Sequence, residues 1–158
     1  MSVAFTREED SESNAAHLPD RPISPHPNLV TASGLAALED ALAQARAAYS
    51  AAQAGGDVAA DRTAMARATR DLRYYAARRA SAQLTQPEAG DTVRFGGSVT
   101  FEREDGRRAT YRIVGEDEAD PNQGMVSYLS PLAAAMLGKG VGDTAKVAGG
   151  EVEIVAVG

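Results

Sequence analysis

The chain offers few side chains that can carry out catalysis by themselves. Its 158 residues include no cysteine, and its two histidines, His17 and His26, fall in a proline-rich N-terminal stretch. The composition therefore argues against thiol chemistry, a thiolate metal site, a Ser-His-Asp triad and a histidine-rich metal site. Carboxylates and arginines remain, so their spacing decides which chemistry is open to the protein.

Two aspartates lie beside the break in a long helical pattern. Asp57 follows Gly55-Gly56 directly, and Asp61 comes one helical turn later. An aspartate after a glycine pair is typical of a helix start, where a carboxylate caps free N–H groups and complements the helix dipole. Asp61 falls on an apolar-seam position close to the helix end, where a charge is tolerated. Helix capping therefore explains both acids, and a role as metal ligands is left open.

Five arginines share one side of the helix that follows. At 100° per residue they fall within a sector of about 160°, opposite the apolar seam. Such a run is typical of a solvated helix face, and the alternative is a stripe that lines RNA or an acidic wall. The predicted stripe consists of Arg62, Arg67, Arg70, Arg73 and Arg78.

The elements that must position these residues form a helical hairpin over residues 31–84, with its tip near residues 55–61. Apolar residues recur at steps of three and four in both arms, which is the spacing of a coiled-coil seam. A short glycine break between two such seams makes the arms antiparallel neighbours. The first arm is expected to extend roughly 33 Å. The predicted seam contains Leu35, Leu38, Leu42, Ala45, Tyr49 and Ala52, then Val58, Met65, Ala68, Leu72, Tyr75 and Ala82.

The rest of the chain divides into a tail, a linker and a second domain. Residues 1–30 are acidic and rich in proline, which predicts a flexible or extended tail, and residues 85–90 form the linker. Over residues 91–158 the apolar period switches to two. Asp105-Gly106 predicts a hairpin turn, and Ser130 is expected to cap a short helix that begins at Pro131. The expected fold class is α+β, a helical hairpin followed by a small strand-rich domain.

Charge and hydropathy restrict the partners. The net charge is −6, and the hairpin is the only basic segment, because residues 31–84 carry +2 while residues 1–30 carry −3 and residues 85–158 carry −5. This distribution disfavours freestanding nucleic-acid binding, but a local contact within a larger assembly is left open. The N-terminus lacks the apolar core of a signal peptide, and no run approaches the roughly 18 apolar residues of a membrane span. We expect a soluble, cytoplasmic, monomeric protein.

Six motifs stand in a fixed order after the linker: Val93–Val99, Tyr111–Asp120, Ser127–Ala133, Leu137–Lys139, Val141–Asp143 and Gly149–Glu153. In order and spacing they resemble the C-terminal domain of the bacterial Gre (GreA/GreB) transcript-cleavage factors. The stretch Leu29–Gly34 also looks like the entry to the first helix of that family. The resemblance implies an FKBP-like domain that docks at the rim of the RNA polymerase secondary channel, with the hairpin pointing toward the polymerase active site. Such a protein is an accessory factor, not an enzyme.

The resemblance also implies roles for three groups of residues. The tip acids Asp57 and Asp61 would share a Mg²⁺ with the polymerase, so that the polymerase cleaves backtracked RNA. The arginine stripe would face the nascent RNA or the channel wall. The chain would bring no cofactor of its own. The polymerase-binding candidates on the second domain are Tyr128, Ser130, Pro131 and Leu132.

The tip departs from the family pattern in two ways. Family tips read approximately Gly-Asp-Leu-x-Glu-Asn, and here Ala60 holds the place of the second acid while Asp61 comes one residue later. The arm from Thr31 to Asp57 is also roughly eight residues shorter than usual, which would retract the tip by about 12 Å. The alternatives are therefore a member of the Rnk group, regulators of nucleoside diphosphate kinase with a shortened hairpin, or a channel-occupying inhibitor that does not stimulate cleavage.

Two readings come from other functional classes. An FKBP-like fold suggests a prolyl isomerase, but fold analogy is a weak warrant, and the domain has no tryptophan and few aromatic residues to line a proline pocket. The other is a plain interaction module, in which the acidic tail and the hairpin recruit a partner.

Overall fold

The computed structural model describes residues 18–55 and 58–158. The chain separates into two compact units. In the described residues, unit 1 contains residues 18–26 and 37–81, and unit 2 contains residues 27–36 and 82–158. Helices dominate unit 1 and strands dominate unit 2, so the α+β prediction is confirmed. Within the described ranges, no helix combines the length and the apolar character that crossing a membrane requires.

The predicted hairpin consists of helix α1, Ala32–Ala54, and helix α2, Val58–Ser81. The arms run antiparallel: Glu39 of α1 pairs with Arg79 near the end of α2 at 3.0 Å, and at the opposite end a Cβ atom on Gly55 would lie 2.1 Å from Asp61 Oδ1. The 23 residues of α1 span about 35 Å. The buried seam residues are Leu38, Leu42, Ala45, Ala52 and Ala68.

Two short parallel strands in unit 2 occupy positions where the sequence predicts the end of the N-terminal tail and the end of the second hairpin arm. Strand β1, Leu29–Val30, pairs with β2, Gln83–Leu84. The Gln83 N–H donates to the Asn28 carbonyl at 2.8 Å. The prediction that the tail runs to residue 30 and that the second helix reaches residue 84 is therefore wrong at these positions. Backbone donors that a continued helix would use internally pair instead with a strand more than fifty residues earlier.

A five-stranded mixed sheet forms the rest of unit 2, in the order β5-β4-β3-β7-β6. Its strands are β3 (Ser98–Arg103), β4 (Arg108–Val114), β5 (Met125–Ser127), β6 (Thr144–Val147) and β7 (Gly150–Val157). Only β4 and β5 pair in parallel. The predicted turn at Asp105-Gly106 joins β3 to β4, and Gly106 has the positive φ of 84° that such a turn favours. A single-turn 3-10 helix, Pro121–Gln123, lies between β4 and β5.

Helix α3, Pro131–Met136, closes the core of the sheet and is the helix predicted from the sequence. Ser130 Oγ accepts from the Ala133 N–H at 3.2 Å, so the predicted cap is present. Ala133 and Met136 are fully buried. They complete a core that also contains Val93, Val99, Phe101, Ile113, Val126, Ala145, Val152 and Ile154.

Candidate functional site

The hairpin tip carries one acid whose position is described. Asp57 lies outside the described residues. Asp61 stands in the first turn of α2, where its charge complements the helix dipole, and its carboxylate lies against Gly55. This geometry agrees with the interpretation of Asp61 as a helix-start residue.

The described part of the hairpin tip supplies one carboxylate, that of Asp61, to a metal site. Among residues 18–55 and 58–158, no group of three or more histidine, aspartate or glutamate side chains could hold a metal ion. A single carboxylate packed on a glycine does not supply the several oxygen ligands that Mg²⁺ requires. The described residues therefore do not fit a resident Mg²⁺, and the shared-metal role of Asp57 and Asp61 stays a prediction.

The five arginines of the predicted stripe do not form one surface. Arg62, Arg70 and Arg73 line the same groove, whereas Arg67 lines a different groove on the alanine-rich side of the hairpin. Arg78 is only 2% exposed, so its place in an exposed stripe is wrong. The division between grooves follows the helix angles: at 100° per residue Arg62, Arg70 and Arg73 lie within about 80° of one another, while Arg67 and Arg78 lie about 140° and 160° from Arg62. The angle does not by itself bury Arg78.

Residues 18–26, which we call the N-terminal strap, contact α2. The Arg21 guanidinium stacks 3.8 Å above the centre of the Tyr74 ring and lies 3.6 Å from the Asp71 carboxylate. Hydrogen bonding to Tyr75 is the main cause that raises the pKa of Arg21 above its ordinary value. The Asp20 carboxylate accepts a hydrogen bond from Arg73 at 3.2 Å. Sequence reasoning missed these contacts, because the partners lie some fifty residues apart.

The strap and α2 enclose a groove of about 820 Å³ near the tip. One strap residue, Leu18, supplies apolar surface, and Asp20 supplies a carboxylate opposite the three arginines. The groove thus combines positive charge with an apolar floor. Its lining consists of Leu18, Asp20, Ala52, Gln53, Gly55, Asp61, Arg62, Met65, Ala66, Thr69, Arg70 and Arg73.

A second, mostly apolar groove of about 370 Å³ lies on unit 2 and brings together three of the four predicted polymerase-binding residues. Ser130, Pro131 and Leu132 line it, and Pro131 is exposed. Tyr128 does not line it. Sequence reasoning missed the rest of the lining, to which β3, β4, β5 and β6 contribute one residue each. The remaining lining residues are Arg103, Tyr111, Pro121, Val126, Val147 and Ala148.

Tyr128 has a structural task in unit 2. Its hydroxyl donates to the Pro27 carbonyl, and its ring meets Phe95 edge to face at a centroid distance of 5.6 Å. The ring is half-buried. Tyr128 therefore ties the segment before β1 to the sheet domain.

Glu118, in the acidic loop after β4, is engaged at the N-terminus of α1. Its carboxylate accepts hydrogen bonds from the Thr31 and Ser33 hydroxyls, at 2.5 and 2.6 Å, and the Arg112 guanidinium lies 4.0 Å away. Thr31 in turn accepts from the Gly34 N–H at 3.0 Å. The side chain of Glu118 is 11% exposed. Glu118 thus joins two of the segments that carry the resemblance, Leu29–Gly34 and Tyr111–Asp120.

Comparison with known proteins gives the second domain its relatives. The family model described as "Transcription elongation factor, GreA/GreB, C-term" matches residues 86–158. The transcription elongation factor GreA of Desulfovibrio desulfuricans is 42% identical over 97 residues, which cover 60% of this chain and 59% of that protein. GreA of Anaeromyxobacter sp. is 53% identical over 68 residues, 41% of each chain. The matches thus leave a large part of these relatives uncovered.

Among solved structures, GreA factor homolog 1 (Gfh1) of Thermus thermophilus aligns with 84% of this chain and 99% of its own, at 22% identity and a TM-score of 0.40. The family model spans the whole strand-rich domain from the linker onward, and the similarity to GreA of Desulfovibrio desulfuricans extends over 97 residues. The similarity is therefore not confined to a single motif. Residues 86–158 thus match the GreA/GreB C-terminal family model, and this part of the chain is similar to GreA transcription elongation factors.

Proposed function

We propose that the protein is a Gre-like accessory factor that binds RNA polymerase at the secondary channel and modulates elongation. The observation that supports this proposal is the GreA/GreB C-terminal domain preceded by an antiparallel helical hairpin of 23- and 24-residue arms. In this proposal the C-terminal domain docks on the polymerase and the hairpin occupies the channel. Bond cleavage belongs to the polymerase, so the chain itself is not an enzyme.

The apolar groove of unit 2 is the proposed docking surface. Ser130, Pro131 and Leu132 form one wall, and the Ser130 cap holds the start of α3 in place. An exposed proline beside half-buried apolar side chains suits an apolar side chain of a partner, which loses water contact on binding.

Channel occupation without cleavage stimulation is the favoured mode. A Gre-type cleavage role needs two positioned acids. The second acid would stand three residues after Asp57, and that position is Ala60. Asp61 stands in the first turn of α2 and lies against Gly55, as a helix-start residue does. Transcript cleavage with a Mg²⁺ shared with the polymerase is the second candidate, and we derive no step through the metal.

A pull-down with core RNA polymerase tests the docking step. We expect the chain to retain the polymerase, and Leu132→Asp to lose it because a charge would be buried in the apolar groove. Val141→Asp is the matched control, since Val141 is 64% exposed and lies outside that groove. Failure of the chain to retain the polymerase at micromolar concentration would remove the proposed function.

A cleavage assay on backtracked complexes separates the two modes. The wild-type chain is compared with Asp57→Ala, Asp61→Ala and no added factor. In the favoured mode the RNA is retained equally in all four reactions. Faster cleavage with the wild type that is lost in Asp61→Ala would establish the second candidate instead.

A further inference from the structure

The N-terminal strap covers a surface of α2 whose chemistry suits a ligand. The Arg21 guanidinium carbon lies over the Tyr74 ring, 3.8 Å from its centre, and Asp20 pairs with Arg73, whose side chain is 67% exposed. An aromatic face flanked by arginines is the combination that binds single-stranded nucleic acid, because a base stacks on the ring and a phosphate pairs with the guanidinium.

We propose that Tyr74 and Arg73 form a contact for single-stranded RNA and that the strap competes for it. The planar Arg21 guanidinium stands where a base would stack, and the Asp20 carboxylate stands where a phosphate would pair. This inference goes beyond the proposed function, because it assigns single-stranded RNA to an α2 surface for which the sequence leaves RNA and an acidic wall as alternatives, and it adds how that contact is controlled. An acidic protein surface would pair with the arginines but would gain nothing from the face of Tyr74.

The contacts of the strap determine how strongly the closed conformation is favoured, and therefore how much the strap weakens RNA binding. A partly exposed cation–π contact and an exposed ion pair together favour the closed strap by about three- to tenfold. The apparent affinity for RNA falls by the fraction of molecules in which the surface is open. Removal of one of the two contacts is therefore expected to tighten RNA binding by about two- to fivefold.

The sharpest test is Arg21→Ala, measured by the anisotropy of a labelled short single-stranded RNA with the full chain at low salt. Net charge alone predicts weaker binding, because a positive charge is removed, whereas strap release predicts tighter binding. Arg46→Ala is the matched control, since Arg46 is an exposed arginine of α1 and its loss removes the same charge elsewhere on the hairpin. Circular dichroism confirms that each variant is folded.

A second pair of variants tests the ion pair. Asp20→Asn and Glu39→Gln each remove one carboxylate that pairs with an arginine of α2, Arg73 and Arg79 respectively. Tighter binding is expected to be larger for Asp20→Asn. Adding Tyr74→Ala to Arg21→Ala should abolish the gain; a gain that persists would show that the RNA does not use the face of Tyr74 and would overturn the proposal.

The outcomes separate this inference from the proposed function. The strap inference is overturned if Arg21→Ala binds RNA no better than Arg46→Ala does, or does not bind it at all. This holds even when polymerase is retained in the pull-down. Tighter binding by Arg21→Ala with no retention of polymerase would support the strap and remove the proposed function.

Discussion

Replacement of Glu118 by alanine should destabilise unit 2 through the N-terminus of α1. The carboxylate accepts from two hydroxyls, those of Thr31 and Ser33, and is 11% exposed. Hydrogen bonds to a charged group contribute about 1.5 kcal/mol or more each, and a carboxylate at a helix N-terminus adds about 0.5 kcal/mol. Partial hydration of the freed hydroxyls offsets part of this sum, so we expect a loss of about 2–3 kcal/mol.

Urea unfolding of the full chain measures this loss. Glu118→Ala is compared with Thr31→Val and with the double variant, so that the coupling energy isolates the Thr31–Glu118 hydrogen bond. We expect a coupling of about 1 kcal/mol or more, because the bond joins residues 87 positions apart and involves a charged acceptor. Glu88→Ala is the control for removal of an exposed carboxylate from the same unit. A Glu118→Ala loss no larger than that of Glu88→Ala would refute the capping role.

Three further substitutions test the packing. Gly115→Ala should cost at least about 2 kcal/mol in urea unfolding, because its Cβ would lie 2.3 Å from the Leu29 carbonyl oxygen, a backbone atom that cannot swing away. Arg78→Ala should cost more than about 2 kcal/mol because Arg78 is buried, whereas Arg67→Ala should change stability by less than about 0.5 kcal/mol; equal effects would contradict the division of the stripe. Ser130→Ala should cost about 1 kcal/mol through loss of the α3 cap, measured by thermal unfolding.

Local signals in the sequence predicted the elements whose causes are local. The turn at Asp105-Gly106 and the Ser130 cap depend on neighbouring residues, and both are present. The pairing of β1 with β2 joins Leu29 to Gln83, and two-residue strands leave no periodic pattern to detect. Helical periodicity gave the angular position of Arg78 but not its burial, which depends on what packs over that side of α2.

The same limit applies to the candidate site. The angular clustering of the α2 arginines singled them out in the sequence, whereas the segment at Ser130 became a binding candidate through the family resemblance. It could not reveal the strap, since the stacking of Arg21 on Tyr74 depends on a chain reversal between residues 53 positions apart. It also could not assign Glu118, whose partners stand in a different element. Contacts between segments distant in sequence thus account for both omissions.

The contacts of the hairpin change what its positive charge can do. Residues 31–84 carry seven arginines, but Arg73 and Arg79 are paired with carboxylates, Arg70 lies 3.4 Å from Asp71, and Arg78 is buried. An anionic partner that meets the closed hairpin can neutralise few of these charges, so the salt dependence of its binding should be shallow. Release of the strap frees Arg73 and exposes Tyr74 together, and each additional phosphate neutralised steepens the logarithmic salt slope by about 0.7. The number of hairpin arginines that an anionic partner can neutralise therefore increases with the fraction of molecules in which the strap is released.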